Sequence, residues 1–368
     1  MKVILQRIHA NPWFAKTFEW GKLLTITGLS QILVQAVGFV GGILVIRLLP
    51  TNEYALYILA NTMVGTMTVL ADGGISTGVI AKGGEVWRDR EKLGRVVSTG
   101  LDLGRKFGLA SLFVAIPAML LLLSTHHASW QTSALIVAVT IPSFFTALSG
   151  SLLQVAPKLQ QDIIPLQKNQ VTFNLLRLFL LALTLVFLPF GFIAMLVSSV
   201  SQLFANIGLR RISISYADWK QRADAAIRKQ IMSFVKRMLP GSIYYCLSGQ
   251  ITIWLISIFG STSAVAQIGA LGRLAMVLNF FTILLNMLVV PRFARLVARR
   301  KLLLEWYLKI QMYLTLFCVM VIAFAYIFSD QVLWILGDNY SGLGYELLLS
   351  IAGSCLNVAV GINYTLNS

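Results

Sequence analysis

Residues Ile26–Ile80 read ITGLSQILVQAVGFVGGILVIRLLPTNEYALYILANTMVGTMTVLADGGISTGVI. Two apolar arms, each more than twenty residues long, flank a polar turn from Arg47 to Tyr54. At about 1.5 Å of rise per residue, either arm is long enough to cross a hydrocarbon core of about 30 Å. The turn is too short to hold a folded domain. The stretch is a transmembrane helical hairpin, and the same pattern continues outward from it along the chain.

Composition agrees with that reading. Of 368 residues, 57% are hydrophobic and 12% charged, about half the charged share of globular domains. The net charge is +16. On a soluble protein this would point to nucleic acid, but membrane proteins concentrate Lys and Arg in cytoplasmic loops. The expected partner is the lipid bilayer and not nucleic acid. Cys246, Cys318 and Cys355 lie in apolar segments without CxxC spacing, so neither a disulfide framework nor a zinc site is indicated. No cleavable signal peptide is evident, because the first apolar run begins after residue 20 and is a full span.

About ten spans follow, near 22–46, 54–80, 107–124, 131–153, 170–188, 190–209, 239–259, 264–290, 306–328 and 343–363. Leu188-Pro189-Phe190-Gly191 splits a run too long for one crossing. With the N-terminus in the cytoplasm, all 30 basic residues except Arg47, Arg177 and Arg273 fall at or near the inner ends. The opposite loops, Ser124–Trp130, Leu188–Gly191, Gly260–Ser263 and Ser329–Gly342, hold none. A wrong span count would scramble this alternation. The fold class is thus an all-α polytopic membrane protein.

Four regions are expected. Residues 1–20 form a cytoplasmic segment, either an interfacial helix or a frayed tail. Residues 21–211 form a first bundle of six helices. Residues 212–237 form an amphipathic cytoplasmic connector with Trp219, Ala223, Ala226, Ile227 and Ile231 near one side. Residues 238–368 form a second bundle of about four helices. The hairpin Leu239–Pro291 repeats the plan of the first, which suggests that the bundles are related as repeats.

The opening hairpin resembles those of polysaccharide-biosynthesis and O-antigen flippases, of the multidrug/oligosaccharidyl-lipid/polysaccharide exporter superfamily. An Arg ends its first helix (Arg47). Leu-Leu-Pro with Pro50, then Glu53 and Tyr54, follow, and the second helix closes on Leu-Ala-Asp-Gly-Gly-Ile-Ser. GSTSAVAQIGALGRLAMVLNFFTILLNMLVVPRFARL, which carries Arg273, resembles the same family again. The family has twelve or more helices. The first bundle spans roughly 190 residues against roughly 130 for the second, a gap of about two spans with loops. A chain shortened at its C-terminus is therefore expected.

Chemistry is sparse. There is no GxxxxGK[ST] loop and no HExxH, GxSxG or EF-hand pattern. His126 and His127 lack further ligands for a metal and read as polar residues of an outer loop. Neither an enzyme nor a cofactor is expected. Charges within spans are the informative residues, because they are costly there and usually face a protein interior or an aqueous cavity. Arg273 lies about ten residues from the outer turn, roughly 15 Å deep. Arg177 lies about seven residues in from the inner end of span five, within reach of snorkelling. Arg47 is interfacial or braces its turn against Glu53. Asp72, before Gly73-Gly74, could hold a coupling ion or pair with a cytoplasmic arginine. Pro117, Pro142 and Gly38-x-x-x-Gly42 read as packing features.

Two mid-membrane arginines suggest an anionic ligand, since guanidinium binds phosphate bidentately. The resemblance implies flipping of a polyprenyl-diphosphate-linked oligosaccharide, an O-antigen or capsule repeat unit, from the inner to the outer leaflet of the bacterial cytoplasmic membrane. A glycan polymerase and ligase would then be neighbours. Two other readings stand beside it. One is an ion-coupled multidrug antiporter of the same superfamily, which would prefer acidic residues in its cavity. The other is a non-transporting scaffold of a glycan-assembly complex, which would accept loss of Arg273.

Overall fold

The computed structural model describes residues 12–288 and 300–367. They form thirteen α-helices and one 3-10 turn, with no strand among the described residues. In chain order these are α1 (Pro12–Leu48), α2 (Thr51–Asp72), α3 (Ile75–Val86), α4 (Arg90–Thr125), α5 (Trp130–Leu153), α6 (Val155–Leu159) and α7 (Ile163–Phe187). Then come α8 (Gly191–Ile214), α9 (Ala225–Phe259), α10 (Thr262–Leu288), α11 (Arg300–Ile327), α12 (Ser329–Leu336) and α13 (Gly344–Asn367). Among the described residues, eight helices are long and apolar enough to cross a membrane, and α9 and α10 add the shorter apolar stretches Gln250–Phe259 and Thr262–Leu278. The chain is a polytopic all-α membrane protein. Large side chains such as Phe113, Phe179, Phe187 and Phe324 are exposed. A soluble surface rarely carries so much apolar area, whereas lipid covers it at no cost.

Local chemistry sets the helix ends. Asp89 Oδ1 accepts from the N–H groups of Glu91 and Lys92, both at 3.1 Å, and starts α4. Asp224 does the same for α9, accepting from Ala226 at 2.7 Å and Ile227 at 3.3 Å. Ser129 accepts from the Thr132 N–H at 3.1 Å and starts α5. Each satisfies donors that a helix N-terminus otherwise leaves orphaned.

The structure differs from the sequence expectation in two places. The span read as 54–80 is two helices. Gly73 and Gly74 adopt φ of 45° and 101°, a region that costs glycine little, and the chain breaks between α2 and α3. The stretch 212–237, read as a connector, is divided between two helices. α8 continues to Ile214, an irregular turn follows, and α9 runs unbroken from Ala225 past Pro240 to Phe259. Trp219 and Ile227 are half-buried and Ile231 is buried, but Ala223 and Ala226 are exposed. The Asp218 N–H donates to the Arg90 carbonyl at 2.9 Å and pins the turn to α4. In residues 1–20 only Pro12 onward is described, already as part of α1.

The helices fall into two groups. In the first, α1 packs on α7, α5 on α8, α7 on α8, and α2 and α5 on α4. In the second, α13 packs on α10 and α11. α10 lies against α2 and α1, and α9 against α2, α3 and α4, which joins the groups. One apolar core runs through the junction and includes Tyr54, Leu59, Leu123, Phe144, Leu181, Ala270 and Leu347. A second, at the end carrying the basic loops, gathers Ile75, Val79, Leu93, Leu152, Ala217, Ile231 and Val235.

Candidate functional site

A cavity of about 430 Å³ opens where α1, α7 and α10 meet. Its lining brings Arg177 of α7 and Arg273 of α10 together with Gln35, Phe39, Asn174 and Met276. Asn174 stands one turn before Arg177, on the same face. No carboxylate among the described residues lines the cavity. Two guanidinium groups are thus held half-buried, in surroundings where charges interact more strongly than in water.

Arg273 reaches the cavity past α1. A Cβ on Gly42 would lie 3.1 Å from Arg273 Cδ and 3.3 Å from Nε. Only a residue without a side chain lets the arginine stem pass unhindered. Arg273 Nη1 donates to Met276 Sδ at 3.5 Å, a weak acceptor. Arg273 forms no ion pair among the described residues. Its charge also acts on the hydroxyl of Tyr54, which is buried without a hydrogen-bond partner of ordinary geometry. A second cavity, of about 250 Å³, lies inside the first group of helices and shares Val34, Asn174 and Arg177 with the first.

The other sequence candidates lie elsewhere. Asp72 caps the break after α2. Its Oδ1 accepts from the Ser76 N–H at 3.2 Å and from the Ser76 hydroxyl, and its Oδ2 from the Gly74 N–H at 3.4 Å. It pairs with no arginine among the described residues and lines neither cavity. Arg47 and Glu53 do not brace each other. Arg47 donates to the carbonyls of Trp334 at 2.5 Å and Ile335 at 2.9 Å, and its guanidinium sits 4.9 Å from the Trp334 ring centroid. Glu53 Oε2 accepts from the Gly191 N–H at 2.8 Å, at the start of α8, where a helix N-terminus favours negative charge. Pro50 sets the N-cap of α2.

Two features escaped sequence reading. His126 is buried, not a surface residue. Nδ1 lies 3.0 Å from Thr262 Oγ1 and Nε2 lies 3.0 Å from the Ser257 carbonyl oxygen. Together with Arg47 on α12, it ties the two helix groups at the end opposite the basic loops. The other feature is the uncharged polar lining of the cavities. Gln31, Gln35, Gln170, Asn174 and Gln202 all fall within apolar spans, and their placement there was a readable signal.

A polytopic helical membrane protein with an arginine-lined cavity between two helix groups is the class that this architecture defines. The fold is that of transporters of the MATE type. A MATE family multidrug resistance transporter of the MOP superfamily, solved in an inward-facing conformation, superposes with a TM-score of 0.65 at 15% identity over 90% of this chain and 79% of that one. A MATE solved in complex with MaD3S gives 0.55 at 18% identity over 92% and 81%. The eukaryotic MATE transporter AtDTX14 gives 0.56 at 16% over 93% and 82%. No curated protein matches the chain in sequence. Residues 44–343 match the polysaccharide biosynthesis protein family, to which this chain belongs.

Proposed function

We propose that the chain moves a polyprenyl-diphosphate-linked oligosaccharide, such as an O-antigen or capsule repeat unit, from the cytoplasmic to the outer leaflet of a bacterial cytoplasmic membrane. The observation that carries this reading is one cavity lined by Arg177 and Arg273, one from each helix group, and by no carboxylate among the described residues. The cavity falls in the size range of small-molecule sites, about 300–1,000 Å³. A diphosphate must leave water to cross hydrocarbon. Two guanidinium groups replace its hydration with charge-assisted, bidentate hydrogen bonds, while the prenyl tail stays in lipid. A cationic drug would meet repulsion in the same place. The multidrug alternative has the fold in its favour and this electrostatics against it.

Family membership supports a polysaccharide precursor as cargo. The basic loops support a cytoplasmic position for that end of the bundle. The contacts of His126 and Arg47 then close the outer end, which leaves the cavity to load from inside. Rocking of one helix group against the other would break those contacts and expose the site outward. A polymerase and a ligase acting on the outer leaflet would consume the product.

The test uses proteoliposomes holding the full chain and a fluorescent short-prenyl diphosphate glycan. Protein-dependent transfer of the label to the far leaflet is expected, with loss in the Arg177→Ala/Arg273→Ala double variant. Efflux of a cationic dye with no glycan transfer would overturn the reading in favour of a drug antiporter.

A further inference from the structure

We infer that the 250 Å³ cavity inside the first helix group is the seat of a neutral, hydroxyl-rich pyranose, the sugar next to the diphosphate. The inference rests on the proposed function and assigns a separate place to the other half of the same cargo. The cavity is walled by Gln31 of α1, Gln154 at the end of α5, Gln170 and Asn174 of α7, and Ser201 and Gln202 of α8. Four separate helices thus aim amides or hydroxyls at one space within the membrane.

Such groups are costly in hydrocarbon unless they are satisfied, and these satisfy one another only in part. Gln31 Nε2 reaches Gln170 Oε1 at 3.4 Å and Gln167 Oε1 at 3.5 Å, both at the limit of a hydrogen bond. Gln202 Nε2 donates to Asn206 Oδ1 at 3.2 Å and Asn174 Nδ2 to the Gln170 carbonyl at 2.8 Å, and neither the Gln202 nor the Asn174 side-chain oxygen accepts a hydrogen bond among the described residues. The side chain of Gln154 has no hydrogen bond among the described residues. Ser201 is 2% exposed, and its hydroxyl has no partner. A buried serine in a helix ordinarily bonds the carbonyl one turn back, as Ser198 does to Ala194 at 2.8 Å. Ser201 does not, although it belongs to the wall of this cavity.

The chemistry of this wall selects its ligand. Each carboxamide carries both a donor and an acceptor, the match for a ring of hydroxyls that do the same. No carboxylate among the described residues lines the cavity, and Arg177 stands at its boundary. A metal ion or a drug cation would meet no anionic partner and one positive charge. The volume equals about eight waters at about 30 Å³ each, room for one sugar ring. Phe173 adds an apolar surface for the ring's C–H face. Arg177 and Asn174 line both cavities, so a diphosphate on Arg177 would place its first sugar across the shared boundary.

The experiment compares two probes on the full chain in nanodiscs: geranyl diphosphate, and the same molecule carrying one glucose or one N-acetylglucosamine. The glycosylated probe should bind about tenfold tighter than the naked one. Gln154→Leu and Ser201→Ala should each reduce that advantage to under threefold and leave the naked probe's affinity within twofold. Neither variant breaks a described side-chain hydrogen bond, and Ser201→Ala removes an orphaned hydroxyl, so its melting temperature should hold or rise as sugar discrimination falls. Equal affinity of wild-type protein for the two probes would overturn this inference and leave the diphosphate reading intact. Failure of the naked probe to bind at all would overturn the diphosphate reading instead. If both variants weaken both probes in parallel, these residues shape the bundle and the sugar site is refuted.

Discussion

Replacing Arg273 with alanine separates a binding role from a structural one, and the structure sets the size of each. Arg273 has no ion pair among the described residues, and its hydrogen bond goes to the Met276 sulfur at 3.5 Å. Truncation takes the guanidinium away from the buried Tyr54 hydroxyl, and it removes a charge held half out of water. The packing of the stem against Gly42 is lost. These effects oppose each other, and stability should change by no more than about 1 kcal/mol. Binding is different. One charge-assisted hydrogen bond contributes about 1.5–3 kcal/mol, so affinity for a prenyl diphosphate should fall between about tenfold and about a hundredfold. Arg273→Lys keeps a point charge without the bidentate fork and should fall between wild type and alanine. Gly42→Ala keeps the arginine but forces it to shift by a few tenths of an ångström, which should cost a few-fold in affinity. Titration of geranyl diphosphate into nanodiscs reads affinity, and a melting curve on the same samples reads stability. A twofold or smaller change in affinity for Arg273→Ala would refute the argument. So would a melting temperature that collapses equally in the Ala and Lys variants.

Arg47→Ala should lose about 1 kcal/mol, because an exposed arginine gives up two carbonyl contacts and a ring contact at α12; hydrogen exchange across Ser329–Leu336 should quicken while α4 is unaffected. Gly94→Ala would set a methyl 2.1 Å from the Asp218 carbonyl oxygen, and the clash with backbone should cost about 1–3 kcal/mol by melting; an unchanged melting temperature would mean that the turn after α8 is not held against α4. The Asp102 carboxyl is held below the usual carboxylate range by the hydrogen bond from Lys106, and further by the charges of Lys106 and Arg228. A lowered folded-state value stabilises above the unfolded value of about 4 and is lost as pH falls below it. Asp102→Asn should therefore matter by less than about 1 kcal/mol at pH 7 and by progressively less as pH falls through the lowered folded-state value, checked by melting from neutral to acid pH. Reporter fusions at Ser261 and Ser341 should read as outside and one at Arg222 as inside; a cytoplasmic signal at Ser261 would break the span assignment.

The sequence alone determined the hairpins, the all-α membrane class and the alternation of basic loops. Each rests on a local rule. A span must be apolar for about twenty residues, and charge is counted loop by loop. It also singled out Arg177 and Arg273, since a charge in a span is visible wherever the span packs. Only the tertiary structure decided that these two, about a hundred residues apart in the chain, line one cavity. It also decided that Asp72 caps a helix break, and that His126 bridges the two helix groups. The reason is that in lipid the exterior of a helix is as apolar as its packed interior. α1 and α10 are apolar on almost every face, so hydrophobic periodicity does not say which side turns inward. That choice falls to small residues such as Gly42, which admit a neighbour's side chain, and to amides that find each other only once four helices have met.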